Sequence, residues 1–366
     1  MKIGIDARMY GAGKNRGIGR YIAELLARLE SAPQKNEYVI FLTKDNFNAY
    51  TPPAENIIKV KIDIPWYSWQ EQLIFPWRLY SYDFDLVHFM HFNVPLLYVN
   101  PYVLTIHDLI MTHYPDDRST TKTKWLYHFK IFIAKQLVAI AARRAKKILC
   151  PSAYTESDLV RFLGISSKKI KITPEAVELI QNNITMTGKF SRYEPYFLYV
   201  GAAYPHKNLE FMCNSFLQFN SRGQFYLVCV GKIDFFYTRL QQHYQVKDKI
   251  IFLGEVTDDA LQELYKKATA FIYPSLIEGF GLPPLEAMAQ DVPVIASSES
   301  CLPEVLGEAA YYINPHDEAD MMKAFFDLSQ NKNLRTRLQE QGKRQVALYS
   351  WEKTARLTWE VYEEIL

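Results

Sequence analysis

Cysteine is scarce in this 366-residue chain: Cys150, Cys213, Cys229 and Cys301 stand far apart, with no CxxC pair. That excludes a disulfide-stapled scaffold and argues against a zinc ribbon; three of the four lie in apolar or small-residue runs, as reduced core thiols do. An excess of charge is also lacking, with 42 Lys and Arg against 40 Asp and Glu. The only basic and aromatic interleave is confined to one helical stretch, so no nucleic-acid partner is expected. The uncharged run Leu86 to His107 is interrupted by three His, two Asn and two Pro, too costly for a membrane span; it reads as strand, loop, strand. No low-complexity tract or solenoid-length repeat occurs. No leader pattern precedes Lys2–Ala7, which reads directly as a strand, so the expected location is the cytoplasm. Metal-ligand clusters are missing too. The one Asp-x-Asp, Asp83-Phe84-Asp85, leads straight into the apolar run Leu86–Phe89 and reads as a strand-entry turn rather than a cation bridge.

What is present is globular and alternating. At roughly 100–200 residues per domain the length allows two or three domains. Residues 1–190 hold 25 Lys and Arg against 17 Asp and Glu, and residues 191–366 hold 17 against 23, a split that concerns surfaces rather than fold. Lys2–Ala7, a glycine-rich stretch from Gly11 to Gly19 and the periodic run Arg20–Leu29 read as β–loop–α. Further strands are expected at Tyr38–Thr43, Leu86–Phe89, Tyr102–His107 and Lys147–Pro151. A second, more regular series runs from Tyr196–Gly201 through Phe225–Gly231, Ile250–Leu253, Ala270–Pro274 and Pro293–Ala296, with helices between. That alternation predicts parallel sheets covered by helices, an α/β architecture. The aperiodic polar stretch 181–194 reads as a linker. It divides the chain into 1–185 and 186–349, with 350–366 as an amphipathic C-terminal helix.

The strongest signal is the run Pro274 to Ala289, PSLIEGFGLPPLEAMA. A strand enters a tight glycine loop that opens a helix, where unpaired amides and the positive end of the dipole suit a diphosphate. Glycine lets a ligand approach the backbone, and proline is tolerated in the first helical turn. Two carboxylates eight residues apart, Glu278 and Glu286, make sense beside phosphate if each accepts hydrogen bonds from sugar hydroxyls.

This Glu-x7-Glu pattern resembles the donor-site signature of glycosyltransferase family 4. The resemblance extends to Asp291–Ser297, Leu302–Val305, Phe197–Gly201 with Pro205–Leu209, and Gly254–Asp258. In the first half it covers Gly17–Tyr21, Thr105–Asp108 and Pro151–Thr155. It implies a GT-B fold: two Rossmann-like β/α/β domains facing a central cleft, with the C-terminal helix packing back toward the first. It also implies a retaining hexosyltransferase that needs no metal or cofactor. Glu278 would bind the transferred sugar and Glu286 the ribose, Lys207 would neutralise the departing diphosphate, and His107 would face the sugar from the first domain. Gly17, Gly19, His206, Val256, Gly279, Phe280, Gly281 and Leu282 would complete the donor site. The chain departs from the pattern at Ala202 and His206, where the family often carries basic residues; Arg16 or Arg20 are candidates to supply the missing charge. Similarity to mannosyltransferases favours GDP-mannose over UDP-sugars. A nucleotide-sugar epimerase and a non-catalytic nucleotide-sugar-binding partner remain alternatives.

The expected acceptor is a saccharide or lipid-linked saccharide. His91, Trp66 and Trp69 are candidates to contact it. Residues 118–147 hold nine Lys or Arg, no acid, and interleaved aromatics. They suit either a core helix with a solvated basic face or contact with an anionic membrane at the inner face of the cell.

Overall fold

The computed structural model describes residues 1–11, 16–113, 124–177, 188–221, 223–244 and 249–366, with the side chains of Arg16 and of residues 124–131 excepted. The chain divides into two compact units, Met1–Glu175 with Ser350–Leu366, and Ala176–Tyr349. The boundary expected at 185/186 lies outside the described residues.

In the first unit the described strands are β1 (Lys2–Asp6), β2 (Glu37–Leu42), β3 (Ile57–Lys61), β4 (Leu86–Phe89), β5 (Tyr102–Thr105), β6 (Lys147–Cys150) and β7 (Ile170–Ile172). All pair in parallel, in the order β3-β2-β1-β4-β5-β6-β7. Strands buried on both faces read as continuous apolar runs, as β4 and β5 do. The edge strands β3 and β7 do not: lysines interrupt both and neither is fully buried, so no apolar run announces them.

The second unit holds β8 (Tyr196–Val200), β9 (Tyr226–Val230), β10 (Ile250–Gly254), β11 (Ala270–Tyr273), β12 (Val294–Ser297) and β13 (Ala310–Ile313), again all parallel, in the order β10-β9-β8-β11-β12-β13. Strands were expected at five of these six places; β13 and the helices Glu318–Gln330 and Lys332–Val346 were not. The last is strongly polar, and it docks at Gly342, where an added Cβ would stand 3.1 Å from Met288 Cγ. All four cysteines are free and buried.

The C-terminal helix Trp351–Ile365 belongs to the first unit. Ser350 caps it by accepting the Lys353 amide at 3.2 Å. Its Trp351 ring meets Tyr21 edge-on, and Glu352 accepts Arg28 Nε at 2.9 Å. The Tyr362 hydroxyl bonds His88 Nδ1 at 2.6 Å, and His88 Nε2 meets Thr105 Oγ1 at 2.8 Å. This fully buried ring is held neutral: burial first, then the neighbouring His107, pushes its pKa down to about 3. A depressed histidine contributes stability above its unfolded value, near 6.5, that is lost as pH falls toward the folded one. Between pH 6 and 5 this amounts to ~1.2 kcal/mol. His88→Gln, which bonds but does not titrate, is therefore expected to lose about that much less unfolding free energy than the wild type over this interval. Parallel losses in the two proteins would reject a neutral native ring.

Candidate active site

In a parallel sheet, ligands settle outside the carboxyl ends of the strands where the strand order reverses. In the second unit that point lies between β8 and β11. The turn after β8 carries His206 and Lys207, and the loop after β11 carries Glu278. The two loops are stitched by the Leu276 amide donating to His206 O at 2.8 Å. Asn208 takes a left-handed conformation (φ +62°) that ends the Pro205–Lys207 turn and starts the helix Leu209–Phe219, and its side-chain amide holds Pro315 O at 2.8 Å.

This stitching brings Lys207 Nζ to 2.5 Å from Glu278 Oε1, and 3.3 Å from the Tyr273 hydroxyl at the end of β11. The side chains of Lys207 and Glu278 are 15% and 8% exposed, so the pair is largely withdrawn from water. Burial pushes the Glu278 carboxyl up, but Lys207, with a smaller contribution from His206, overcomes it and holds the pKa below the ordinary value. His206 is driven the other way, to about 4, by burial and then by the Lys207 charge; it is neutral at neutral pH. Lys207 is thus the cation of this turn. The Glu278 amide donates to Ser300 Oγ at 3.2 Å, which fixes the entry of the glycine loop. Tyr273 and Ser300 were missed in the sequence, where nothing marks a tyrosine at a strand end or a serine twenty-two residues downstream as partners of this loop.

The helix Leu282–Ala289 begins after Gly281, whose φ of +92° suits glycine alone; a Cβ there would also meet Leu302 Cδ2 at 2.8 Å. Pro283 and Pro284 lack N–H groups, so the first turn offers fewer donor amides than an ordinary helix start. Leu282 and the glycine loop therefore carry more of any anion contact. The Phe280 ring is buried edge-on against Tyr349 at 5.4 Å. Glu286 is the fifth residue of this helix, half-buried and just past its first turn. Val256 lies half-buried beyond β10, before Thr257, which caps the helix Asp258–Lys267. The ends of β8, β9 and β10 are tied by Gly201 N to Val230 O at 2.9 Å and Gly231 N to Gly254 O at 3.1 Å. A Cβ on Gly231 would stand 2.1 Å from Gly201 O.

The other expected residues lie in the first unit. His107 follows β5 and is buried, with Nδ1 at 2.9 Å from Glu175 Oε1 and Nε2 at 3.1 Å from Met90 O. Both partners are acceptors, so the ring donates from both nitrogens, which only the imidazolium does. Burial alone would lower its pKa; the Glu175 hydrogen bond and charge raise it. Here both ring nitrogens are engaged within the protein, and the group it offers is a buried positive charge. Glu175, in an aperiodic stretch, was not foreseen.

Gly19 is buried and an added Cβ there would fall 2.1 Å from Gly11 O, so packing alone explains this glycine, whereas Gly17 is exposed with open space around it. Side-chain placement of Arg16 lies outside the described residues. His91 and Trp66 line one small cavity at the reversal between β1 and β4, with Asp6, Arg8 and Asn93. Arg8 is buried in a network, its guanidinium donating to Asp6 at 2.8 Å from two nitrogens and to Glu71 at 2.6 Å. Trp69 does not line that cavity and is 65% exposed. Among the described residues no group of three or more His, Cys, Asp or Glu is gathered as metal ligands. Asp85 accepts the Lys2 amide at 2.7 Å, at the amino ends of β1 and β4.

Family models match both halves of the chain: one described as Glycosyltransferase Family 4 over residues 15–180, and one described as Glycosyl transferases group 1 over residues 184–345. The chain is 32% identical to the O-antigen chain mannosyltransferase RfbU of Salmonella typhimurium, over 69% of this chain and 70% of that protein. It is 28% identical to O-antigen chain mannosyltransferase B of Escherichia coli, over 95% and 96%. Among solved structures it resembles sucrose-phosphate synthase from Thermosynechococcus elongatus with a TM-score of 0.76, 19% identity and coverage of 100% and 99%. That last likeness is one of fold.

Proposed function

We propose, on the premise that this chain belongs to the family 4 glycosyltransferases of GT-B fold, that it moves a hexose from a nucleoside diphosphate sugar to a saccharide acceptor with retention of configuration. The donor is GDP-mannose and the product a polysaccharide chain, a reading supported by the O-antigen mannosyltransferases to which the chain is similar. The observation that carries it is the Lys207–Glu278 pair at the strand-order reversal of the second unit.

As the glycosidic C–O bond to the diphosphate breaks, negative charge grows on the leaving phosphate, and Lys207 is placed to meet it. Amides of the Gly279–Leu282 loop add to this role. Glu278 accepts hydrogen bonds from the transferred sugar and Glu286 from the ribose. Val256 lies against the base. The acceptor hydroxyl attacks the face the diphosphate leaves, and its proton passes to a diphosphate oxygen. Lys207 occupies the role a cation would otherwise take, so the reaction is metal-independent.

The purified protein is expected to form product from GDP-mannose and acceptor at the same rate with and without EDTA, with the α linkage retained in the proton–carbon coupling of the product. GDP is expected to raise the melting temperature more than UDP. Loss of activity in EDTA would end the metal-free account, a larger shift with UDP would reassign the donor, and product formed without acceptor would make the protein an epimerase.

A further inference from the structure

We propose that the first unit carries a docking face for an anionic lipid bilayer, formed by the segment 69–80 and the loop 95–99. The helices Trp69–Leu73 and Phe75–Tyr80 run nearly as one, because Ile74 keeps helical dihedrals and its amide bonds Gln70 O at 2.8 Å. The inner side buries Glu71, Phe75, Pro76 and Leu79. The outer side presents Trp69, Leu73 and Trp77, which are 65%, 52% and 70% exposed. Spacings of four residues put these three on a single stripe. The loop extends the stripe: Leu96 N donates to Gln72 Oε1 at 3.0 Å, the Tyr80 hydroxyl to Leu97 O at 2.8 Å, and Val99 N to the Tyr80 hydroxyl at 2.9 Å. Leu97 and Val99 are themselves 51% and 70% exposed. A lone exposed leucine is ordinary, but five large apolar side chains on one tied surface call for a partner.

Charge selects that partner. Segments 66–82 and 90–102 contain a single acid, Glu71, and it is buried beneath the stripe. The rim is basic. Arg78 is exposed, and the exposed Arg144 is anchored through its guanidinium to Leu96 O and Tyr98 O at 2.6 and 2.8 Å, with Lys146 exposed two residues on. Tryptophan settles at the headgroup boundary, and lysine and arginine beside it are drawn to anionic lipid. A stacked oligosaccharide is disfavoured because Leu73, Leu97 and Val99 offer nothing to its hydroxyls. A second copy packed face to face would set these cationic rims against each other. This face is independent of the donor chemistry above.

The full chain should co-sediment with vesicles of phosphatidylglycerol and phosphatidylcholine and not with phosphatidylcholine alone. The double substitution Leu73→Ser/Trp77→Ser should lower the partition coefficient at least about tenfold, and Arg78→Glu or added salt should lower it further. The blue shift of tryptophan emission on anionic vesicles should shrink in Trp77→Phe. The double variant should keep the wild-type melting temperature and its transfer rate to a water-soluble acceptor. Equal binding by wild type and double variant, no binding by either, or a dimer that the double substitution dissociates would each overturn the docking face. Absence of transfer in both proteins with vesicle binding intact would instead refute the proposed reaction and leave this face standing.

Discussion

Replacing Glu278 by Gln is expected to lower turnover by about 10²–10³-fold while nucleoside diphosphate affinity stays the same or rises. The asymmetry follows from the contact with Lys207. In the free protein the 2.5 Å ion pair spends part of the lysine charge on Glu278, so an incoming diphosphate competes with the carboxylate for the same ammonium. The Glu278→Gln variant leaves that ammonium less neutralised, and a nucleoside diphosphate, which has no sugar for Glu278 to hold, binds at least as well. The sugar is what the carboxylate grips as positive charge develops at the reacting carbon, and interactions made only in the transition state appear in kcat. Calorimetry with GDP and initial rates on one preparation give both numbers. Equal losses in both would reassign Glu278 to the nucleotide.

Lys207→Met is expected to cost more, because it strands a buried charge. Removing one partner of a buried pair typically destabilises by about 3–5 kcal/mol, and loss of the charged contact should weaken diphosphate binding by about 1.5–3 kcal/mol. The pH dependence of stability should also reverse. In the wild type the Glu278 pKa is depressed, so the stability it contributes is present above the unfolded value and is lost as pH falls through the folded one. Without Lys207, burial acts almost alone and raises that pKa; the variant then loses stability as pH rises above ~4.5 and recovers it on acidification. Lys207→Met/Glu278→Gln should regain most of the lost stability but none of the turnover. A double variant no more stable than Lys207→Met would mean that the two side chains do not couple.

The sequence disclosed the chemistry of these residues before their contacts. Lys207 and Glu278 were each given a role by the family resemblance, but they lie 71 positions apart, and nothing in either segment says that one would rest on the other. The same holds for His107 and Glu175, 68 apart; the histidine was visible beside Asp108, and the carboxylate that makes it a cation was not. Trp69 was a candidate acceptor contact by residue type; that it stands on an exposed surface beside Leu73 and Trp77 was not legible in the sequence. Gly19 was read as part of a phosphate loop, although close packing against Gly11 suffices to require it.

By itself the sequence determined what depends on neighbours in the chain: the buried central strands, announced by apolar runs; the turn at Gly281 and the proline-opened helix behind it; the alternation that makes two α/β halves. It also held the family pattern, since that is a matter of residue types at fixed spacing. Tertiary structure alone decided which charges neutralise each other, which strands stand at the edges, and that the terminal helix Trp351–Ile365, expected from the family pattern to return to the first unit, is held there by Tyr362 on His88. The reason is physical. Periodicity states which face of an element is apolar but not what covers it, and the pKa of a buried group depends on desolvation and on charges a few ångströms away in space, whose distance along the chain carries no information.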